Sequence, residues 1–209
     1  MKKFPIVFVV IFILLTCAIV SAQEDEFPLV IDNCGFEVTY QAPPEKAVTM
    51  NQAATEIMLA LGLEDKLVGT AYLDDIILPE FEEAYNSVPV LAVEYPSQEV
   101  LFGAEPDFVY GSYSSAFGDE AAGSRESLLE LGIGSYVSPV ACEDRSLRPE
   151  NLTIDDVFGE IRDIGRIFGV EDRAEALIAE QQAELDAISE ALPDTDEPIT
   201  VFWYDSGTG

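Results

Sequence analysis

Residues 47–62, with the sequence AVTMNQAATEIMLALG, decide the fold class of this chain. The segment begins with a short apolar strand and continues as a helix with one apolar face. Asn51 is predicted to cap this helix, and Gly62 is predicted to end it. A second strand follows at 66–71. A strand, a helix and a strand in this order predict a parallel pair of strands in an α/β fold.

The same alternation continues along the chain to residue 137. Further strands are predicted at 36–40, 88–91, 107–110 and 136–137. Ser97 is placed to cap one intervening helix, and Gly132 to end another. We therefore expect residues 23–150 to form one lobe with a mostly parallel sheet. In such a sheet, ligands bind beyond the carboxyl ends of the strands.

A helical linker is predicted over residues 151–193. Thr153 and Asp156 have the spacing of a reciprocal cap for its first helix, which breaks at Gly169. The second helix, at 172–192, would be about 30 Å long. Its apolar positions form a one-sided stripe: Ala174, Leu177, Ile178, Leu185, Ile188 and Leu192.

A strand is predicted at residues 199–204, close to the last residue of the sequence. A single strand cannot form a core. We therefore expect 194–209 to begin a second lobe that is largely missing from the chain. Two lobes joined by one long helix would enclose a cleft suited to ligand capture.

The first 22 residues have the pattern of an export signal. Lys2 and Lys3 precede an apolar run, and small side chains lie before a cleavage site after Ala22. Cys17 offers an alternative, a lipid-anchored start, but Thr16 fits a bacterial lipobox poorly. We expect an exported protein in the periplasm or on the extracellular face of a bacterial cell membrane.

The composition is strongly acidic, with 40 acidic and 10 basic residues and a formal net charge of −30. Such a surface repels phosphate backbones and anionic lipid headgroups, which excludes nucleic acid as a partner. The chain has no histidine. It therefore lacks the usual catalytic base and the commonest zinc ligand, and we predict no metal site and no cofactor.

Two cysteines remain after removal of the signal, Cys34 and Cys142. In an oxidising compartment such a pair predicts a disulfide. Two buried thiols and a two-cysteine metal site are the alternatives.

Several short motifs, in order along the chain, resemble those of a known family. They are TEIMLALG at 55–62, KLVG at 66–69, QEVL at 98–101, EPDFV at 105–109, SLLELGI at 127–133 and IGRIFG at 164–169. The chain resembles the substrate-binding proteins of bacterial ABC importers for ferric siderophores, haem and cobalamin. This resemblance implies the bilobal α/β fold of the class III periplasmic binding proteins, in which one long helix joins the lobes.

The resemblance also implies roles for individual residues. Glu99 occupies the position of a glutamate that docks on arginines of the membrane permease, and Glu56 is the rival acid. Ligand contacts are expected from loops at the mouth between the lobes. The candidates are Gln52, Tyr72, Asp74, Tyr95, Ser112, Tyr113, Trp203, Tyr204 and Asp205.

The implied function is capture of a ferric siderophore-type complex or a cobalamin-like chelate for delivery to an ABC permease. No arginine cluster suited to an anionic catecholate is evident, so a neutral or cationic hydroxamate complex is favoured. One alternative is an extracytoplasmic enzyme that uses carboxylates, although the chain has no G-x-S-x-G motif. Another is an acidic surface or adhesion protein, but no internal repeat supports it.

Overall fold

The fold begins with an antiparallel hairpin followed by a parallel sheet. The structure, a computed structural model, describes residues 27–192 and 200–201. The hairpin pairs β1 (Leu29–Asn33) with β2 (Phe36–Tyr40). The sheet contains β3 (Ala47–Met50), β4 (Leu67–Ala71), β5 (Val90–Ala92), β6 (Phe108–Gly111) and β7 (Gly134–Val137). The helices are α1 (Gln52–Ala60), α2 (Glu82–Tyr85), α3 (Gln98–Gly103), α4 (Arg125–Glu130), α5 (Ile154–Ile167) and α6 (Glu171–Ala191).

The parallel sheet has the order β5-β4-β3-β6-β7. Its first strand in sequence, β3, lies at the centre and pairs with both β4 and β6. The chain builds outward on one side of β3 and then crosses to the other side. The strand order therefore reverses between β3 and β6, and this switch point is where ligands bind in open α/β sheets. The predicted mostly parallel α/β lobe is confirmed.

Helices cover both faces of the sheet. Successive side chains in each strand point to opposite faces, so the strands contribute to one core on each side. In β6, Phe108 and Tyr110 pack into a core with the hairpin, α1, α5 and the start of α6. Val109 points the other way, into a second core that contains Leu101 of α3 and Leu128 of α4. The strands β3, β6 and β7 are thus buried on both sides, as expected for a parallel sheet, whereas the edge strand β5 is partly exposed.

The hairpin is fastened to the β7 edge of the sheet. Cys34 and Cys142 form a disulfide, which confirms the predicted pair. The side-chain amide of Asn33 donates to the carbonyl of Val137 and accepts from its N–H, both at 2.9 Å. Arg125 donates to the carbonyl of Asn33 at 2.8 Å. A disulfide and three hydrogen bonds therefore hold this turn of the hairpin in place.

Two long helices follow the sheet. The N–H of Thr153 donates to the carboxylate of Asp156 at 2.8 Å, in the predicted reciprocal cap of α5. Gly169 has a φ of +65° and breaks the chain between α5 and α6. In α6, Ala174 and Ile178 are buried. The later members of the predicted stripe, Leu185, Ile188 and Leu192, are exposed. Only the first half of α6 packs on the described lobe.

Some sequence predictions differ from the structure at their boundaries. The strand predicted at 88–91 lies at Val90–Ala92, where Val90 and Ala92 pair with Thr70 and Ala71 of β4. Thr200 and Val201 are exposed and lie outside any strand, so the predicted strand at 199–204 is not formed at these positions. The rest of that strand and the signal at 1–22 fall outside the described residues. Within the described ranges, no helix is both long and apolar enough to cross a bilayer.

Candidate functional site

The carboxyl ends of the central strands carry a cluster of polar and aromatic side chains. We call this surface the mouth; it consists of Asn51 and the loops 72–78, 93–97 and 112–117. These loops follow β4, β5 and β6, and Asn51 follows β3. The mouth therefore lies over the switch point between β3 and β6, where the crossover leaves room for a ligand.

Two neighbouring strands end in an unusual backbone conformation at the mouth. Asn51 has a φ of +76° and Tyr72 a φ of +55°. The strand pairing places these residues side by side, since Met50 is paired with Ala71. Left-handed backbone is uncommon for residues other than glycine, and it is concentrated at functional sites.

Tyr72 and Tyr95 form an aromatic pair. Their ring centroids are 4.7 Å apart, with an angle of 37° between the ring planes. The Tyr95 hydroxyl donates to Asn51 Oδ1 at 3.2 Å and lies 2.9 Å from Ser115 Oγ. The prediction that the Asn51 side chain caps α1 is therefore wrong. Its carbonyl oxygen holds Tyr95 instead.

The amino terminus of α1 is occupied by side chains from two other loops. The N–H of Gln52 donates to Asp74 Oδ2, and the N–H of Ala54 donates to Ser112 Oγ, both at 3.0 Å. A free helix amino terminus attracts anions. Here a carboxylate already satisfies that attraction, so the helix end does not offer an open anion site.

Gln52 and Glu56 tie α1 to the loop after β4. The Gln52 side chain donates to Glu56 Oε1 at 2.9 Å and accepts from the N–H of Asp75 at 2.9 Å. The same Glu56 oxygen accepts from the N–H of Leu78 at 3.1 Å. These bonds give both side chains a structural use, since they hold α1 against this loop.

The rim of the mouth is apolar and acidic. Ile76, Val93 and Tyr113 are 82%, 88% and 51% exposed. The loops 72–78, 93–97 and 112–117 contain the acidic residues Asp74, Asp75 and Glu94, but no lysine or arginine. Apolar groups at the rim suit an organic ligand, and the carboxylates disfavour an anionic one.

The structure thus brings together the predicted site residues that it describes. Tyr72 and Tyr95 are in contact, Ser112 and Asp74 hold α1 beside them, and Tyr113 is exposed next to Ser112. Trp203, Tyr204 and Asp205 lie outside the described residues. Asn51 and Ser115 were not predicted as site residues. A polar residue directly after the central strand β3 was the signal that could have indicated Asn51, whereas Ser115 lies four positions beyond β6 and had no such signal.

Glu99 is exposed in the first turn of α3. Ser97 caps this helix as predicted, since its Oγ accepts from the N–H of Val100 at 3.4 Å. Because α3 begins where the loop after β5 ends, Glu99 lies near the same edge of the sheet as Tyr95. This exposed acid therefore lies in the first turn of the helix that follows the mouth loop 93–97.

A second polar cluster lies inside the lobe, between the sheet and α5. Glu160 accepts from the hydroxyls of Tyr110 at 2.5 Å and Ser138 at 2.7 Å. Tyr136 donates to Asp163 Oδ2 at 3.0 Å. Burial raises the pKa of Glu160, although its two hydrogen bonds act in the opposite direction. Sequence patterns gave no sign of this cluster because its members are distant in the chain.

Comparison with known proteins places this architecture in a family. A family model described as periplasmic binding protein matches residues 48–209. An uncharacterised ABC transporter substrate-binding lipoprotein of Bacillus subtilis is 27% identical over 183 residues, which cover 86% of this chain and 53% of the relative. A cobalamin-binding protein of Halobacterium salinarum is 27% identical over 175 residues, which cover 82% of this chain and 42% of the relative.

Solved structures agree with these matches. A periplasmic binding protein from Veillonella parvula is 31% identical, with a TM-score of 0.68 over 79% of this chain and 54% of the other. An ABC-type Fe3+-hydroxamate transport system structure from Saccharomonospora viridis is 32% identical, with a TM-score of 0.66 over 79% of this chain and 57% of the other.

The chain spans about half the length of the relatives it matches. The family model and these two relatives carry the names of binding proteins, so the comparisons do not support the enzyme alternative. The parallel sheet, the crossover at β3 and the match over most of the sequence lead to one assignment: this chain belongs to the periplasmic binding protein family.

Proposed function

We propose that this chain captures a ferric siderophore-type complex at the mouth and delivers it to an ABC permease outside the cytoplasm. The observation that carries the proposal is the contact between Tyr72 and Tyr95 at the switch point of the sheet. Aromatic rings with polar tips suit large organic ligands that have both apolar and polar surface. Tyr113, exposed beside this pair, is proposed as a further contact.

The charge of the mouth supports a neutral or cationic ligand. Asp74 occupies the amino terminus of α1, and Asp75 and Glu94 add negative charge nearby. A ferric tricatecholate carries several negative charges and would be repelled, whereas a ferric trihydroxamate is neutral or cationic. The name of the Saccharomonospora viridis structure refers to Fe3+-hydroxamate transport, which favours the same class. A cobalamin-like chelate is the second candidate, because one relative is named a cobalamin-binding protein.

The ligand is proposed to bind between two lobes. The relatives are about twice as long as the matched region, which leaves room for a second α/β lobe beyond α6. In this arrangement, residues 23–150 supply one wall of the cleft, 151–193 the linker, and 194–209 the start of the other wall. Trp203, Tyr204 and Asp205 are proposed as ligand-contact candidates from the other wall, with at most one of Trp203 and Tyr204 facing the cleft, since adjacent strand residues point to opposite sides.

Glu99 is proposed to dock on a permease arginine. It is exposed at the edge of the mouth, and none of the described contacts involves its carboxylate. A charge-assisted pair of a carboxylate with arginine suits a contact that must form and release. Glu56 is a weaker candidate, since its carboxylate is bonded to Gln52 and Leu78.

Titration of the natural full-length protein tests the ligand class. The probes are a cationic ferric trihydroxamate, an anionic ferric tricatecholate and cyanocobalamin, each followed by calorimetry. We expect the trihydroxamate to bind most tightly, and Tyr95→Ala to weaken it at least tenfold. The hydroxamate class would be wrong if the tricatecholate bound more tightly, and the whole proposal would be wrong if none of the three bound below millimolar concentration.

A further inference from the structure

Asn51 has a backbone conformation that residues with a side chain rarely adopt. Its φ is +76° and its ψ is 157°. This combination of angles is almost restricted to glycine, because a Cβ atom clashes there with the neighbouring backbone. Such strain persists only where the surrounding structure enforces it, and it is concentrated at functional sites. Glycine would suit the backbone better at this position, so the asparagine side chain must have a use of its own.

Hydrogen bonds on both sides of Asn51 enforce this conformation. Its N–H donates to the carbonyl of Ala71 at 3.0 Å. Its carbonyl accepts from the N–H of Thr55 at 3.3 Å and from Thr55 Oγ1 at 3.0 Å. The first bond ties Asn51 to the end of β4, directly before Tyr72, and the other two tie it to α1. The backbone is therefore fixed between β4 and α1, and the side chain leaves it in a set direction.

The side chain of Asn51 connects this fixed point to the aromatic pair of the mouth. Its Oδ1 accepts from the hydroxyl of Tyr95 at 3.2 Å. Asn51 is only 1% exposed, whereas Ser115, the other partner of that hydroxyl, is exposed. The ring of Tyr95 packs against the second core, which contains Leu101 and Leu128. Asn51 thus supplies a rigid, buried anchor for the polar end of a ring whose apolar part rests on the core.

We propose that Asn51 is a positioning residue, which tolerates strain in its own backbone and thereby holds Tyr95 against Tyr72 in the geometry that the ligand contacts. This inference rests on the proposed function, because it takes the aromatic pair as the ligand surface. Asn51 acts through Tyr95, since its burial keeps it from the surface of the mouth. A residue with this role lowers stability and raises affinity, whereas a purely structural residue would raise stability.

Asn51→Gly separates these two roles. Glycine suits the backbone angles, and the Tyr95 hydroxyl keeps Ser115 as a partner. We expect the midpoint of urea denaturation of the natural full-length protein to stay unchanged or rise. The affinity for the cationic ferric trihydroxamate, measured by calorimetry, should fall about fivefold. In the ligand-free protein, the NMR cross-peaks between the rings of Tyr72 and Tyr95 should weaken relative to wild type.

Glu105→Gly is the matched control. Glu105 also has a positive φ, of +51°, but it precedes β6, at the opposite edge of the sheet from the mouth. This variant relieves backbone strain far from Tyr95, so the affinity and the ring cross-peaks should remain those of wild type.

Three results for Asn51→Gly would each overturn the proposal: a lower urea midpoint, an unchanged affinity, or unchanged ring cross-peaks. Failure of the wild type to bind any of the three chelates would instead refute the proposed function. The urea midpoint and the ring cross-peaks, both measured without ligand, would then decide on their own whether Asn51 positions Tyr95.

Discussion

The hydroxyl of Tyr95 lies 3.2 Å from Asn51 Oδ1, and this hydrogen bond joins the loop after β5 to the end of the central strand β3. Asn51 is almost completely buried. The bond therefore satisfies a buried acceptor and also fixes the ring that packs on Tyr72. One contact couples the stability of the lobe to the geometry of its proposed binding surface.

Tyr95→Phe should lower the free energy of unfolding by about 1–2 kcal/mol, because it leaves a buried oxygen of Asn51 without its donor. Urea denaturation measures this change. Ser115→Ala is the control: it removes the exposed partner of the same hydroxyl and should have an effect below about 0.5 kcal/mol. Equal losses in the two variants would contradict the role assigned to Asn51.

Replacing both Cys34 and Cys142 with serine should destabilise the lobe by up to about 4–5 kcal/mol in the chain-entropy model. The two residues are separated by 108 positions, so the disulfide restricts a long loop of the unfolded chain. The midpoint of urea denaturation with and without a reducing agent measures the effect. The reducing agent should have no effect on the double variant, and an equal response of both proteins would show that another thiol is responsible.

Glu160 should make the lobe more stable as the pH falls from neutral. Burial raises the pKa of its carboxyl group in the folded state, so the folded state takes up this proton at a higher pH than the unfolded chain. The resulting stability is fully present below the unfolded pKa and is lost as the pH rises through the folded pKa. The unfolding free energy of wild type minus that of Glu160→Gln, measured from pH 4 to 8, should therefore become more positive as the pH falls.

Asp156 offers a control of opposite sign. Hydrogen bonds from the backbone and side chain of Thr153 lower the pKa of Asp156. Its contribution is present above the unfolded pKa and is lost as the pH falls through the folded pKa. The unfolding free energy of wild type minus that of Asp156→Asn should become less positive as the pH falls. A shift in the same direction for both variants would point to the net charge of the protein rather than to these two sites.

Glu99→Gln should reduce transport without changing ligand affinity. The loss of one charge-assisted contact is expected to weaken docking about tenfold. Uptake of a labelled ferric trihydroxamate by proteoliposomes that contain the natural permease measures docking, and calorimetry measures ligand binding. Glu130→Gln, an exposed acid on α4, should leave both quantities unchanged. Normal uptake by the Glu99 variant would exclude this residue as the docking point.

Local sequence signals predicted the elements that local chemistry determines. Ser97 caps α3, Thr153 and Asp156 cap α5, and Gly62 and Gly132 adopt the positive φ that ends their helices. Alternation of strands and helices then required a parallel sheet. These features depend on residues that are neighbours in the chain, so they can be predicted from a single sequence.

The contacts that define the site could not be predicted from neighbouring residues, because their partners are distant in the chain. Asn51 is of a residue type that commonly caps helices, but the actual partner of its side chain is 44 residues away. Arg125 holds the hairpin through Asn33, which is 92 residues distant, and no local pattern indicates this contact. The stripe of α6 was predicted correctly as a pattern, but the sequence did not indicate that only its first half would pack on this lobe.

The bond between Asn33 and Val137 also has a consequence for aggregation. An open strand edge exposes N–H and C=O groups on which another chain can add a strand. The Asn33 amide fills this pair of positions at the end of β7, much as an additional strand would. At the opposite edge, β5 has only three residues and offers little length for pairing. A bonded position at one border and a short strand at the other thus limit the addition of a strand from another molecule to this sheet.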